Sequence, residues 1–163
     1  MSEVEYRESE GPISDKLLFA LGTAGQQIFL QAGQPPAPAE AIAEQLRASV
    51  NGHRWVHLCM AYLDGELVGY KVGRSNDPRT FESWNGGVLP SARKKGVASA
   101  LAECQEAWCR TQGFGTLMTE TAHDNRAMLI VNLKRGFHVI GSYLDRGTNL
   151  KVVLQKPLVS SES

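Results

Sequence analysis

The spacing of apolar positions changes several times along the chain, and each change marks a boundary between elements. In "EVEYRES" Val4 and Tyr6 alternate with charged neighbours, which predicts a short first strand, broken by "EGP". From Pro12 onward Leu17, Leu18, Leu21, Ala24, Gly25, Ile28 and Phe29 recur at intervals of three and four, an amphipathic helix with Ser14 or Asp15 as its cap. "AGQPPAPA" ends that helix because its prolines lack donors and fix φ, and a second helix over residues 39–48 follows, with Ile42 and Leu46 inward. "WVHLCMAYLDGELVGYKVG" gives two runs rich in β-branched and aromatic residues, joined across Asp64 and Gly65, a dipeptide that favours a tight hairpin. Residues 81–89 predict another strand, in which Gly86 and Gly87 mark a bulge or a close backbone approach.

In the second half, Val97, Leu101, Cys104 and Trp108 fall on one face of a helix that Gly113 caps, and "TLMTETA" is a strand. Asp124 or Asn125 caps a third major helix, with Met128, Leu129 and Leu133 inward and Gly136 closing it. Two last strands, near residues 138–143 and 150–155, flank "DRGTN". Trp108 and Met128 are read as core, since both lie on helical apolar stripes. The order strand, two helices, three strands, helix, strand, helix, two strands predicts a mixed α/β domain over residues 1–158, with 159–163 as a frayed tail.

Composition narrows the function classes. Of 163 residues, 42% are hydrophobic, and 17 basic residues balance 17 acidic ones, so no global field favours nucleic acid or an anionic membrane. Any anion site must be local. The start, "MSEVEYRESEG", is acidic where a signal peptide needs a basic end, and no later apolar stretch approaches the roughly 20 residues of a membrane span, so a cytoplasmic location is expected. Cys59, Cys104 and Cys109 are odd in number and lack CxxC spacing, which makes them buried packing residues rather than disulfides or zinc ligands. No HExxH pair and no GxxxxGK[ST] loop occurs, so neither a metalloprotease nor a P-loop nucleotidase is indicated and no metal is expected.

One stretch carries chemistry. In "VLPSARKKGVASALAECQ" an extended segment turns into a helix, and Arg93, Lys94 and Lys95 stand at the join beside Gly96, Ala98 and Ser99. A helix N-terminus presents unpaired N–H groups and positive dipole, and small residues there leave the backbone open to a phosphate or pyrophosphate. Gly96 adopts the angles of a tight anion-holding turn without penalty.

"RKKGVA", residues 93–98, resembles the [QR]-x-x-G-x-[GA] acyl-CoA signature of the GNAT superfamily of N-acyltransferases. "VLP" before it, the helix ended by Gly113 after it, "DNRAMLIVNLKRGF" and the hairpin "AYLDGELVGYKVG" resemble further family elements in the family's order, over residues 55–154. The resemblance implies a single-domain fold with a mixed, mostly antiparallel central sheet and two splayed parallel strands, flanked by helices. It also implies acetyl-CoA as acyl donor, held at Arg93, Lys94, Lys95, Gly96, Val97, Ala98 and Ser99. Acyl-pantetheine would pair with the backbone at Val88 and Leu89, where a donor also stabilises an oxyanion.

Amine acetylation requires the acceptor ammonium to lose a proton first. Glu82, eleven residues before Arg93, resembles the family's general base in spacing and shares its strand face with Trp84; an exposed glutamate in an ion pair is the equal alternative. Where many relatives carry a tyrosine that protonates the departing thiolate, this chain has Asn132, leaving Tyr143, a water or the solvent for that task. Asp124 is expected to cap the helix, and Asn125 to contact the coenzyme. The expected activity is acetyl transfer from acetyl-CoA to a primary amine, small-molecule or peptide, by direct attack in a ternary complex. An acyl-CoA-binding regulatory module is the competing reading, and a nucleotide-binding protein ranks last. A homodimer remains open.

Overall fold

The computed structural model describes residues 2–158; the tail expected at 159–163 lies outside the described residues. The elements are β1 (Val4–Glu10), α1 (Asp15–Ile28), α2 (Ala39–Val50), β2 (Trp55–Leu63), β3 (Glu66–Asp77), β4 (Thr80–Val88), α3 (Val97–Gln112), β5 (Thr116–Ala122), α4 (Arg126–Lys134), β6 (His138–Asp145) and β7 (Asn149–Pro157). All strands join one sheet in the order β1-β2-β3-β4-β5-β7-β6. Every neighbouring pair is antiparallel except β4 and β5. The element order and the mostly antiparallel sheet agree with the sequence reading.

Local chemistry accounts for the boundaries. Ser14, not Asp15, caps α1: its hydroxyl accepts from the Leu17 amide at 3.2 Å. The β2–β3 hairpin turns on Asp64 at φ 52° and Gly65 at φ 79°, the two left-handed residues of a tight hairpin that matches strand twist. α3 and α4 close with the same device. Phe114 N donates to Cys109 O and Phe137 N to Asn132 O, both at 3.0 Å, after the left-handed glycines Gly113 and Gly136.

Two buried clusters hold the layers together. The larger joins α1 and α2 to β2 and β3 through Leu18, Leu21, Leu46, Leu58, Tyr70 and Val72, and reaches Val97 and Leu101 of α3. The smaller gathers Phe81, Trp108, Phe114, Leu117, Phe137 and Leu154. Trp108 is core as expected, stacked on His57 at 4.3 Å and edge-on to Phe81 at 5.1 Å. Cys59 and Cys109 are buried and Cys104 is half-buried, its sulfur 2.7 Å from that of Cys59 across the β2–α3 interface.

The inward face expected for α4 is corrected. Met128 and Leu133 are exposed, and the one buried residue of the helix is Asn132. Leu129 does pack against the smaller cluster, while Met128 and Val131 line an opening in the sheet that α4 flanks. The second helix also runs two residues beyond its expected end, to Val50.

Candidate functional site

The site arises where two parallel strands stop pairing. β4 and β5 are in register at Thr80/Thr116, Phe81/Leu117 and Glu82/Met118 and then diverge. Past that point the Thr119 hydroxyl donates to Ser83 O at 3.0 Å. The β3–β4 register shifts so that Ser83 and Asn85 face consecutive residues of β3 and Trp84 is the extra residue of a bulge, which bends β4 away from β5. A cavity of about 630 Å³ fills the opening, walled by β4, β5, α3 and α4.

The backbone of β4 forms one wall. Leu89 N donates to Val68 O at 2.7 Å, so antiparallel alternation turns the N–H and C=O of Val88 toward the open edge, where Arg93 Nε takes the carbonyl at 3.1 Å. Leu89 therefore has no free amide, a correction to the pairing expected of it. A Cβ on Gly86 would lie 2.5 Å from Tyr70 O, and one on Gly87 2.3 Å from Ile28 Cγ2. The expected irregularity combines both physical causes: a bulge at Trp84 and close approach at the glycines.

At the open end, α3 begins with Gly96 at φ 77°, preceded by Lys94 at φ 62°. Gly96 offers no side-chain cap, and the first intrahelical bond runs from Ala100 N to Gly96 O at 3.0 Å. The amides of Val97, Ala98 and Ser99 thus point out of the helix start with Lys94 and Lys95 exposed beside them. The Val97 side chain is buried and contributes to the core instead. Arg93 also reaches Ile28 O at 3.4 Å, so it ties the loop to the end of α1 while still lining the cavity.

On the facing wall Asn125, not Asp124, caps α4: its Oδ1 accepts from Met128 N at 3.2 Å. Asn125 sits at the cavity all the same, as do Met128 and Asn132. The Asn132 amide donates to Thr121 Oγ1 at 3.1 Å, which fixes it against β5.

Glu82 lies on the opposite sheet face, one-quarter exposed, with Oε2 3.2 Å from Arg74 Nε. Arg74 lies 4.9 Å over the Trp84 ring and donates to Ser49 O of α2, so Glu82 and Trp84 do meet a common partner. Glu82 is in register with Met118, and Glu120, two residues on, shares that face. The Tyr143 hydroxyl donates to Glu120 Oε2 at 2.6 Å, and that bond is the first cause pushing the phenol up to about 12. Tyr143 is not among the residues at the cavity, and its hydroxyl donates to a carboxylate on the other sheet face.

Sequence reasoning missed three charged residues on the cavity side. Lys71 of β3, Glu106 of α3 and Arg135, just past the end of α4, all line it. Glu106 is buried and holds Lys156 at 2.9 Å, Arg135 at 3.2 Å and Arg110 at 3.7 Å. Burial, and then the Arg135 charge, bring the Lys71 ammonium down to about 8. Its signal was present: Lys71 is the single charge inside the apolar run "LVGYKVG".

The opening is formed by a splayed parallel pair with a helix N-terminus at its mouth, and comparison assigns the chain to a family. The family model described as "Acetyltransferase (GNAT) family" matches residues 24–137, and the chain belongs to that family of acetyltransferases. An aminoglycoside N(6')-acetyltransferase type 1 of Klebsiella aerogenes is 33% identical over 82 residues, covering 45% of this chain and 53% of its own; the chain thus spans about half of that relative. The ribosomal-protein-S18-alanine N-acetyltransferase from Escherichia coli shares the fold at TM-score 0.72 and 14% identity, over 96% of this chain and 98% of the other. So does the paia N-acetyltransferase from Thermoplasma acidophilum, solved in complex with coenzyme A, at TM-score 0.70 and 16% identity over 95% and 99%. No helix among the described residues is long and apolar enough to cross a membrane.

Proposed function

We propose that residues 1–158 form one catalytic domain that moves an acetyl group from acetyl-CoA to the primary amine of a cationic acceptor. The observation that carries this reading is the opening between β4 and β5, with outward amides of α3 at one end and the Glu82 carboxylate on the opposite face. The thioester supplies an activated acyl carbon; the chain supplies the rest. The amides of Val97, Ala98 and Ser99, with Lys94 and Lys95, hold the pyrophosphate, and Gly96 lets it approach. Val88 offers its N–H to the pantetheine arm, and Asn125 and Asn132 close the far side.

Glu82 takes the proton that frees the amine lone pair, its position set by Arg74. Glu120 on the same face gives the acceptor side a second carboxylate, which suits an amine that carries several positive charges. Aminoglycosides have that chemistry, and the Klebsiella relative acts on one, so they are the first acceptors to try. The leaving thiolate, with a reference pKa of roughly 8.5, departs without a phenolic acid.

The test combines binding and turnover. Acetyl-CoA and CoA, not ATP, should raise the thermal midpoint, with about 2.7 kcal/mol added at 100 times the dissociation constant. Glu82→Gln should lower turnover by on the order of 100-fold or more, with CoA affinity nearly unchanged. A Gln variant as active as wild type removes Glu82 from the reaction, and a protein that CoA does not stabilise removes the whole reading.

A further inference from the structure

Lys71 is a half-buried amine at the cavity that the proposed reaction leaves unused. It rises from β3 on the face covered by α3 and α4, opposite Cys59 of β2 on one side and Gly86 of β4 on the other. Gly86 has no side chain, so nothing on β4 screens the lysine stem from the cavity that both residues line. The ionisable groups facing it are Cys59 from β2, Glu106 from α3 and Arg135 from just past the end of α4. The one carboxylate among them is already held by Lys156, Arg135 and Arg110. Lys71 makes no ion pair among the described residues, in contrast to its neighbours. Desolvated and beside a second cation, it keeps a substantial neutral fraction near pH 8.

We propose that Lys71 is a self-acylation site, where the amine takes the acyl group from an acyl thioester bound in the cleft. The inference rests on acetyl-CoA occupying that cleft. The Nζ lone pair attacks the thioester carbonyl carbon; a C–N bond forms, the C–S bond breaks with its electrons on sulfur, and the proton shed by nitrogen ends on the thiolate. An amide and a free thiol result, and no further reactant is needed. The modification removes one positive charge from the cavity floor and adds bulk there, so acylated protein binds CoA more weakly. Lys94 and Lys95, exposed at the helix start, are fully hydrated and should react far more slowly.

Whole protein incubated with excess acetyl-CoA and no acceptor should gain the mass of one acetyl group, mapped by peptide fragmentation to Lys71. The rate should rise with pH through about 8 and then level off. Lys71→Arg and Lys71→Met should both lose the gain, and trace labelling with acetic anhydride should find Lys71 the most reactive lysine when CoA is absent. A thermal shift run in parallel separates the failures. If acetyl-CoA binds but the label falls elsewhere or nowhere, the self-acylation site is overturned and the coenzyme reading stands. If acetyl-CoA does not bind, both fall.

Discussion

Helices α3 and α4 wall the same cleft and end with the same glycine device, yet they are held in opposite ways. α3 buries Val97, Leu101, Trp108 and Cys109 against the sheet, and the Trp108 indole N–H donates to Glu10 of β1. α4 buries Asn132 and leaves Val131 and Leu133 about half exposed, at 45% and 50%. Apart from Leu129 on the smaller cluster, its anchors are polar: the Asn125 cap, the Asn132–Thr121 bond and the Arg135–Glu106 pair. One wall is part of the core and stays formed without a ligand. The other has little apolar burial of its own, which places it at the low-stability end of the molecule, where the proposed coenzyme would add contacts.

The largest effect that could break this comparison is on stability. Trp108→Ala should cost about 3–5 kcal/mol, since it empties the centre of the aromatic cluster, whereas Leu133→Ala should stay within about 0.5 kcal/mol. Urea unfolding of the two variants decides it; equal losses would mean α4 is core after all. Next comes the coenzyme. A Cβ at Gly96 meets nothing within 4 Å, so Gly96→Ala carries only the strain of φ 77°, about 1 kcal/mol, while Gly96→Glu adds a carboxylate where the helix start faces an anion. CoA affinity should fall by on the order of 100-fold in the Glu variant and far less in the Ala variant. Hydrogen exchange gives the second readout: CoA should slow exchange in α4 of the wild type, change α3 little, and do neither in Gly96→Glu.

These two helices also show what the sequence could and could not reveal. α3 was legible because its period, its Gly96 start and its Gly113 end are local chemistry. α4 has an equally regular apolar stripe, but periodicity reports that a face is not solvated, without saying whether a core or a cleft covers it. Met128 was read wrongly for that reason. The cap was misassigned because Asp124 and Asn125 are equally good acceptors and only the backbone angles choose between them. On the other sheet face, Glu82 was singled out because its spacing resembles the family's, but Arg74, Glu120 and the Tyr143–Glu120 bond depend on strands far apart in sequence. Lys71, Glu106 and Arg135 come from three separate elements, and no local pattern joins them.

Lys71 stands between the two walls, facing Glu106 of α3 and Arg135 just past the end of α4, and it supplies the smallest test. Its pKa is about 8 in the folded chain against 10.5 as an ordinary lysine, with burial the main cause. The unfolded chain therefore holds this proton more tightly. Between about 8 and 10.5 the unfolded state carries more protons than the folded one, so the lysine's contribution to stability rises with pH across that window. Below about 8 both states are charged and the folded state bears the full desolvation cost; above 10.5 the cost is gone. Lys71→Met removes the titration, so the variant should be more stable than wild type at pH 7, by about 1–2 kcal/mol once solvent at the cleft is allowed for, and the gap should close as pH approaches 10.5. Other groups titrate alike in both proteins, so the difference between their unfolding curves isolates this one. Relief of the repulsion on Arg135 should also slow exchange in α4 while leaving α3 unchanged. A gap that does not vary with pH would mean that Lys71 is an ordinary hydrated lysine, and that the looseness of α4 comes from its sparse apolar burial alone.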